Sequence, residues 1–189
     1  FPEPYGTYSS HLKDNYRFIT WELFLYTITL LISKRKLDEF RLFVDEPYYV
    51  ENTFDSKIKP YSVFRQYISS LDMDRKKRLN SNLISLAVNE LHQRCNKDIS
   101  FNLVIQADLI LYIRRRTQSS SSSWFPSTLI YASDNQLEFF QKAEYITEFT
   151  KLLQFLNVKD KDSLIQALDV DRLLNNQYFA WSYPDIWGL

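Results

Sequence analysis

Between Gly6 and Gly188 the chain contains no glycine, so every position from 7 to 187 carries a side chain. Phosphate-cradling loops, dinucleotide fingerprints and nucleophile elbows need glycine, because their backbone must reach φ > 0 or approach a ligand closely. The gap therefore excludes the commonest nucleotide-binding and α/β-hydrolase designs. It also asks how the chain turns its corners without the residue that does so most cheaply.

Hydrophobic spacing answers in helices. Asp14 is placed to cap a helix running to about Ser33, apolar nearly all round and followed by Lys34, Arg35 and Lys36. Such a helix belongs at the centre of a bundle. A short helix from Leu37 to Asp45 presents Leu37, Phe40 and Val44 on one stripe, and Pro47 stops it. Residues 48–60 read as a loop, after which Pro60 opens a helix carrying Val63, Phe64, Tyr67, Ile68 and Leu71. Another runs from Ser81 to Asn96, and Ser100 caps one from Phe101 to about Thr117, ended by Arg114, Arg115 and Arg116. Asp134 opens a last long helix to Leu156, and a short one spans Asp162 to Leu168 under Asp162 or Ser163.

Ser119–Ser123 are consecutive serines and read as a flexible loop. The extended, apolar segment from Trp124 to Ala132 is expected to pack back on what precedes it, making residues 1–189 one helical domain. The expected fold is all-α: an irregular bundle of seven or eight helices around the hydrophobic helix at about 14–33, with little or no strand. The longest apolar run, Leu23–Ile32, extends back to Phe18 only across Glu22 and even so falls short of the roughly 18–20 residues that cross a bilayer. No membrane partner is expected. The chain begins at Phe1 without a signal peptide, which reads as a piece of a longer protein, and the lone Cys95 fits a reducing, cytoplasmic setting.

Net charge is zero, with 23 basic and 23 acidic residues, but it is uneven: residues 61–118 hold 10 basic and 5 acidic groups, and residues 119–189 hold 5 and 9. The cations gather in three clusters: Lys34, Arg35, Lys36; then Arg75, Lys76, Lys77, Arg78 in an expected turn; then Arg114, Arg115, Arg116. Converging clusters would hold phosphates, with Tyr112 or Trp124 stacking on bases. The same arginines suit protein interfaces, where the planar guanidinium pairs with carboxylates. Trp124 and the tail residues Tyr178, Phe179, Trp181, Tyr183 and Trp187 are the aromatics expected to dock on a partner.

Catalytic and metal-binding patterns are thin. His92 and Cys95 share a helical face, but His11 is the only other His, and two ligands do not make a site. No Glu-x-x-His pair or helical-ribonuclease Arg-to-His spacing occurs. Asp55-Ser-Lys57 matches only a fragment of a nuclease pattern, and Asp160-Lys-Asp has the order wrong. Glu22 and Asp108 lie in apolar helices, where a buried carboxylate needs a partner; Arg17, Arg65 or a tyrosine hydroxyl is the expected one. No catalytic residue, cofactor or metal is assigned, although an enzyme working through Glu22 or Asp108 stays open.

The run from His11 to Tyr26 (His-Leu-Lys-Asp-Asn-Tyr-Arg-Phe-Ile-Thr-Trp-Glu-Leu-Phe-Leu-Tyr) and the stretch Trp124–Ala132 followed by Leu137-Glu-Phe-Phe resemble uncharacterised helical domains of multidomain bacterial proteins of the sort found in anti-phage defence loci. That resemblance brings no catalytic motif. It implies a non-catalytic interaction or regulatory domain that binds other domains of its own chain, a second copy or another complex subunit. The alternative from the residues is a nucleic-acid-binding module built on the three basic clusters.

Overall fold

The computed structural model describes residues 10–50, 58–64, 68, 70–118, 124–132 and 137–168. Among them the chain is almost wholly helical: α1 (Ser10–Ser33), α2 (Leu37–Asp45), α3 (Lys76–Arg78), α4 (Leu86–Arg94), α5 (Phe101–Gln118), α6 (Glu138–Gln141), α7 (Ile146–Leu156) and α8 (Lys161–Leu168). A two-stranded antiparallel ladder, β1 (Tyr48–Tyr49) with β2 (Ile58–Lys59), sits where a loop was expected, pairing Tyr48 with Lys59 and Tyr49 with Ile58. The Ser119–Ser123 tract and the aromatic tail from Tyr178 to Trp187 lie outside the described residues.

The long apolar helix is α1, but Asp14 is not its cap. The helix begins at Ser10, and Asp14 points inward, 1% exposed, accepting the Ser70 backbone N–H at 2.8 Å and pairing with Arg17 at 3.0 Å. A carboxylate this buried is more useful as a tertiary acceptor than as a local cap. The β-branched threonines of α1 keep their helical geometry by bonding back: Thr20 donates to the Tyr16 carbonyl, Thr27 to Leu23 and Thr29 to Leu25. One side of α1, with Trp21, Leu25, Ile28 and Ile32, packs into the core.

The helix buried most nearly all round is α5, where Val104, Ala107, Asp108, Ile110, Leu111 and Arg114 are each fully enclosed. It packs against α1, α7, α8 and the 3-10 turn Ser127–Tyr131. That turn follows Trp124, so the segment after the serine tract joins the core that holds α1. It coils, where an extended run was expected.

Elsewhere the helices are shorter than hydrophobic spacing implies. A 3-10 turn at Tyr61–Phe64 and a π-helical turn at Ser70–Arg75 running into α3 stand where a helix from Pro60 was expected, so Arg75–Arg78 lie on helix and not in a turn. α4 starts at Leu86, not Ser81: Ser85 Oγ accepts from Val88 N, while Asp72 accepts from Ala87 N and Ser85 Oγ, a carboxylate at the positive end of the helix. The long helix expected to Leu156 is broken at Lys142–Tyr145 into α6 and α7. At 3.6 residues per turn a straight helix would set Phe140 and Leu152 about 120° apart. The break brings both into the core. α8 is capped by Asp160, which accepts from Ser163 N and Oγ, and not by Asp162 or Ser163.

Without glycine, three helix ends use other residues in the left-handed region: Arg35 (φ 56°), Asn80 (φ 47°) and Asn157 (φ 56°). Each makes the same pair of closing bonds. At the end of α1, Arg35 N donates to Ile32 O and Lys36 N to Leu31 O; at α3, Asn80 N donates to Lys77 O and Ser81 N to Lys76 O; at α7, Asn157 N donates to Gln154 O and Val158 N to Leu153 O. This is the Schellman motif, with Asn or Arg in the glycine position. Arg has no local advantage in that conformation, so Arg35→Gly should raise the unfolding free energy by about 0.5–1 kcal/mol, whereas Asn80→Val and Asn157→Val should each lower it by about 1–2 kcal/mol. Urea titration of the three variants would measure this; valine variants with wild-type midpoints would show that these caps do not hold the helix ends.

Candidate functional site

Two carboxylates in apolar helices were the candidates for catalysis. Asp108 is fully buried in α5, and its oxygens accept the Trp124 indole N–H at 2.8 Å, the Thr128 N–H at 3.0 Å and the Thr128 hydroxyl at 2.7 Å. None of the expected partners, Arg17, Arg65 or a tyrosine, provides these bonds. Trp124 is only 1% exposed and forms part of an aromatic cluster with Phe24 and Tyr61, at 5.8 and 5.5 Å between ring centres. This corrects its reading as a partner-docking or base-stacking residue: its apolar ring is interior, and its one polar atom is satisfied there. Glu22 does meet a tyrosine, Tyr26 at 3.2 Å, and also Arg94 at 2.9 Å, a cation the sequence did not single out.

The thiol and imidazole do not assemble into a nucleophile. α4 ends at Arg94 with Cys95 as its C-cap, whose N–H still bonds the Leu91 and His92 carbonyls, but the thiol and the imidazole take different partners. His92 stacks on Phe101 at 4.1 Å, and the Cys95 thiol donates to the Leu91 carbonyl. Burial pushes the Cys95 thiol above its ordinary pKa, with Glu22 acting in the same direction, which disfavours thiolate. Among the described residues no three His, Cys, Asp or Glu side chains converge in a way that could hold a metal ion.

The basic clusters separate. Lys34–Lys36 follow the C-terminal end of α1, while the Ser70–Arg78 stretch is tied near the other end through Ser70 and Asp14. A 24-residue helix is about 36 Å long, so those clusters do not form one patch. Arg114 is no surface residue at all. It is 0% exposed, makes a forked pair with Asp45 at the end of α2 and donates to the Phe155 carbonyl in the last turn of α7 at 2.7 Å. With Thr117, which bonds the Leu156 carbonyl, it supplies donors that the end of α7 lacks. Other members also meet carboxylates: Arg35 with Glu148, Lys36 with Glu39 and Arg75 with Glu90. Lys76, Lys77 and Arg78 are intermediate or exposed on α3, and Arg115 and Arg116 are half-buried at the end of α5.

Two openings lined by described residues bear on the site. The larger, about 310 Å³, lies between α1 (Tyr16, Arg17, Thr20), the β1 strand with Val50, and the turn at Val63 and Phe64. Among the described residues it is lined by aromatic, aliphatic and hydroxyl groups around one guanidinium, with no carboxylate, imidazole or thiol for acid–base work. The smaller, about 160 Å³, lies below the roughly 300 Å³ of ordinary small-molecule sites. Its floor is Ile32, Leu103 and Phe139, and its rim carries Arg35 and Lys142 against Glu138 and Glu148. The rim pairs internally, Arg35 and Lys151 with Glu148 and Lys142 with Glu138, and these bonds hold the Glu148 carboxyl below its usual pKa. Beside it, at the start of α7, Tyr145 and Ile146 are 68% and 78% exposed. Balanced charges over an apolar floor suit one side chain of a protein partner better than a phosphate.

The missed residues, Arg94, Asp45 and Thr128, had no signal within their own helices or turns. Arg114 did have one, since it stands three and four positions after the buried Leu111 and Ile110. If Asp108 is structural, Asp108→Asn should lower the unfolding free energy by about 2–4 kcal/mol by confronting the Trp124 and Thr128 donors with an amide. Chemical denaturation would test this, and a variant as stable as the wild type would reopen a catalytic role. No protein-family model, curated protein or solved structure matches the chain, so the roles of these residues rest on geometry.

Proposed function

We propose that the chain is a non-catalytic helical interaction domain, with a regulatory or scaffolding role in a larger bacterial protein or complex. The observation that carries this reading is the small crevice: an apolar floor at Ile32, Leu103 and Phe139, a rim of balanced charge, and the exposed Tyr145–Ile146 shoulder beside it. Exposed ion pairs are worth only about 0–1 kcal/mol, so a partner can replace the rim pairs at little cost while burying its own apolar side chain on the floor. The buried carboxylates Asp14, Glu22 and Asp108 are each engaged in bonds between elements, which leaves little in the described residues for chemistry. The resemblance of the His11–Tyr26 and Trp124–Ala132 stretches to helical domains of anti-phage proteins points the same way and would place the domain in the bacterial cytoplasm. The aromatic tail from Tyr178 to Trp187 is a second candidate contact.

Nucleic-acid binding is the weaker reading, because Arg114 is interior and Arg35, Lys36 and Arg75 already face carboxylates. The two readings separate experimentally. Amine cross-linking of complexes purified from the native cell should give links to other proteins centred on Lys34, Lys36, Lys142 and Lys151, and Ile146→Asp should remove them without moving Tm by more than about 1 °C, as expected of an exposed site. Cross-links spread evenly over the lysines would sink this reading. Single-stranded oligonucleotide binding that falls steeply with salt, and disappears when Arg75–Arg78 become alanine, would favour the alternative.

A further inference from the structure

The outer face of α1 lacks the charge a solvent-facing helix normally carries. From Phe18 to Ser33 the only charged side chain is Glu22, which is 7% exposed and bonded to Arg94. What faces water is Tyr16 (65% exposed), Ile19 (44%), Leu23 (58%) and Leu30 (40%), with Thr20 beside them. With the partly buried Tyr26, these residues fall on a strict heptad: Tyr16, Leu23 and Leu30 at one position, Ile19 and Tyr26 at the other. That is the seam a helix presents to another helix lying nearly parallel or antiparallel to it. Apart from Tyr26, which also packs against the core, the core-facing residues of α1 are a different set, so the fold already uses one side of the helix and leaves this second stripe.

We propose that this stripe is a homodimer interface in which α1 packs antiparallel on α1 of a second copy, with a two-fold axis at Leu23. Charge selects the occupant and the direction. A seam without charge has nothing with which to choose a partner of opposite sign, and it does not repel its own copy. A parallel pairing would set Arg17 beside Arg17 and Lys34–Lys36 beside the same cluster. The antiparallel pairing puts the two Lys34 residues about 33 Å apart along the helices, at 1.5 Å per residue, and opposes the helix dipoles. In that register Leu23 meets Leu23 of the second copy, Tyr16 meets Leu30, Ile19 meets Thr27, and Tyr26 meets Thr20. The contact is isologous and closes at two copies.

Sedimentation velocity on the full chain tests the pairing, with a concentration-dependent dimer expected at micromolar loading. Leu23→Asp places two carboxylates on the axis and should weaken dimerisation at least about 100-fold while leaving the far-ultraviolet circular dichroism unchanged. Orientation is read in a Cys95→Ser background: Leu23→Cys alone should form an interchain disulfide on oxidation, and Tyr16→Cys should cross-link to Leu30→Cys but not to itself. A monomer at every concentration overturns the proposal. If removal of residues 169–189 then increases dye binding to the stripe, the cover is the chain's own C-terminal segment; if it does not, the cover is a different protein. A dimer that Leu23→Asp leaves intact, or one in which Tyr16→Cys links to itself, also overturns it.

Discussion

Two opposite charges buried in one helix, Asp108 and Arg114 of α5, set the positions of the elements around them. An isolated ion taken out of water costs several kcal/mol, a loss that is made up only where several well-placed bonds meet it. Asp108 is met by three donors from the Trp124–Thr128 segment, which fixes that segment on one side of α5. Arg114 is met by Asp45 at the end of α2 and by a carbonyl at the end of α7. Three helices thus end around one guanidinium, and the Phe155 carbonyl and the Asp45 carboxylate share its donors. Removing Arg114 would leave Asp45 partly in water, since that carboxylate is 38% exposed. Removing Asp108 would leave its donors wholly in the core. The carboxylate is therefore the more stringent of the two constraints.

The positions of the long helices were readable because periodicity accumulates over many turns: α1, α2 and α5 lie close to where their apolar spacing puts them. Their ends were read less well. Ser100 does accept from Leu103 N at the start of α5, but Asp14 looked equally good as a cap and is instead a tertiary acceptor for Ser70. A side chain that bonds three residues away and one that bonds fifty-six away look alike in one dimension. The same limit explains the site. Arg114, Arg115 and Arg116 read as one cluster, yet consecutive helical residues point about 100° apart. The first points into the protein, and the others lie nearer its surface. Trp124 beside a serine tract read as exposed because its carboxylate partner stands sixteen residues earlier on another element.

The missing glycines carry a related lesson. Their absence excluded glycine-loop chemistry, but it did not remove the backbone's need for left-handed turns. Asn80 and Asn157 meet that need with a residue that tolerates it, and Arg35 meets it with one that does not. At Arg35 the strain coincides with an ion pair to Glu148, on the rim of the small crevice. The left-handed backbone turns the side chain back across the end of α1 toward α7, so the exposed pair and the strained cap belong to one feature.

The surfaces left over argue for association on energetic grounds. Exposed apolar atoms are ordinary on any protein, and single ones such as Leu42 or Met73 need no explanation. A row of them at heptad spacing, on a helix whose two carboxylates are both buried, Asp14 against Ser70 and Arg17 and Glu22 against Arg94, is different. Replacing Leu23 or Leu30 by a lysine or glutamate would cost an isolated helix almost nothing in propensity and would improve solubility. Stability of the single chain therefore gives no reason for the stripe to stay uncharged. Water is excluded from such a face only by something laid along it, and a straight, charge-free helical seam is best matched by another helix of the same kind.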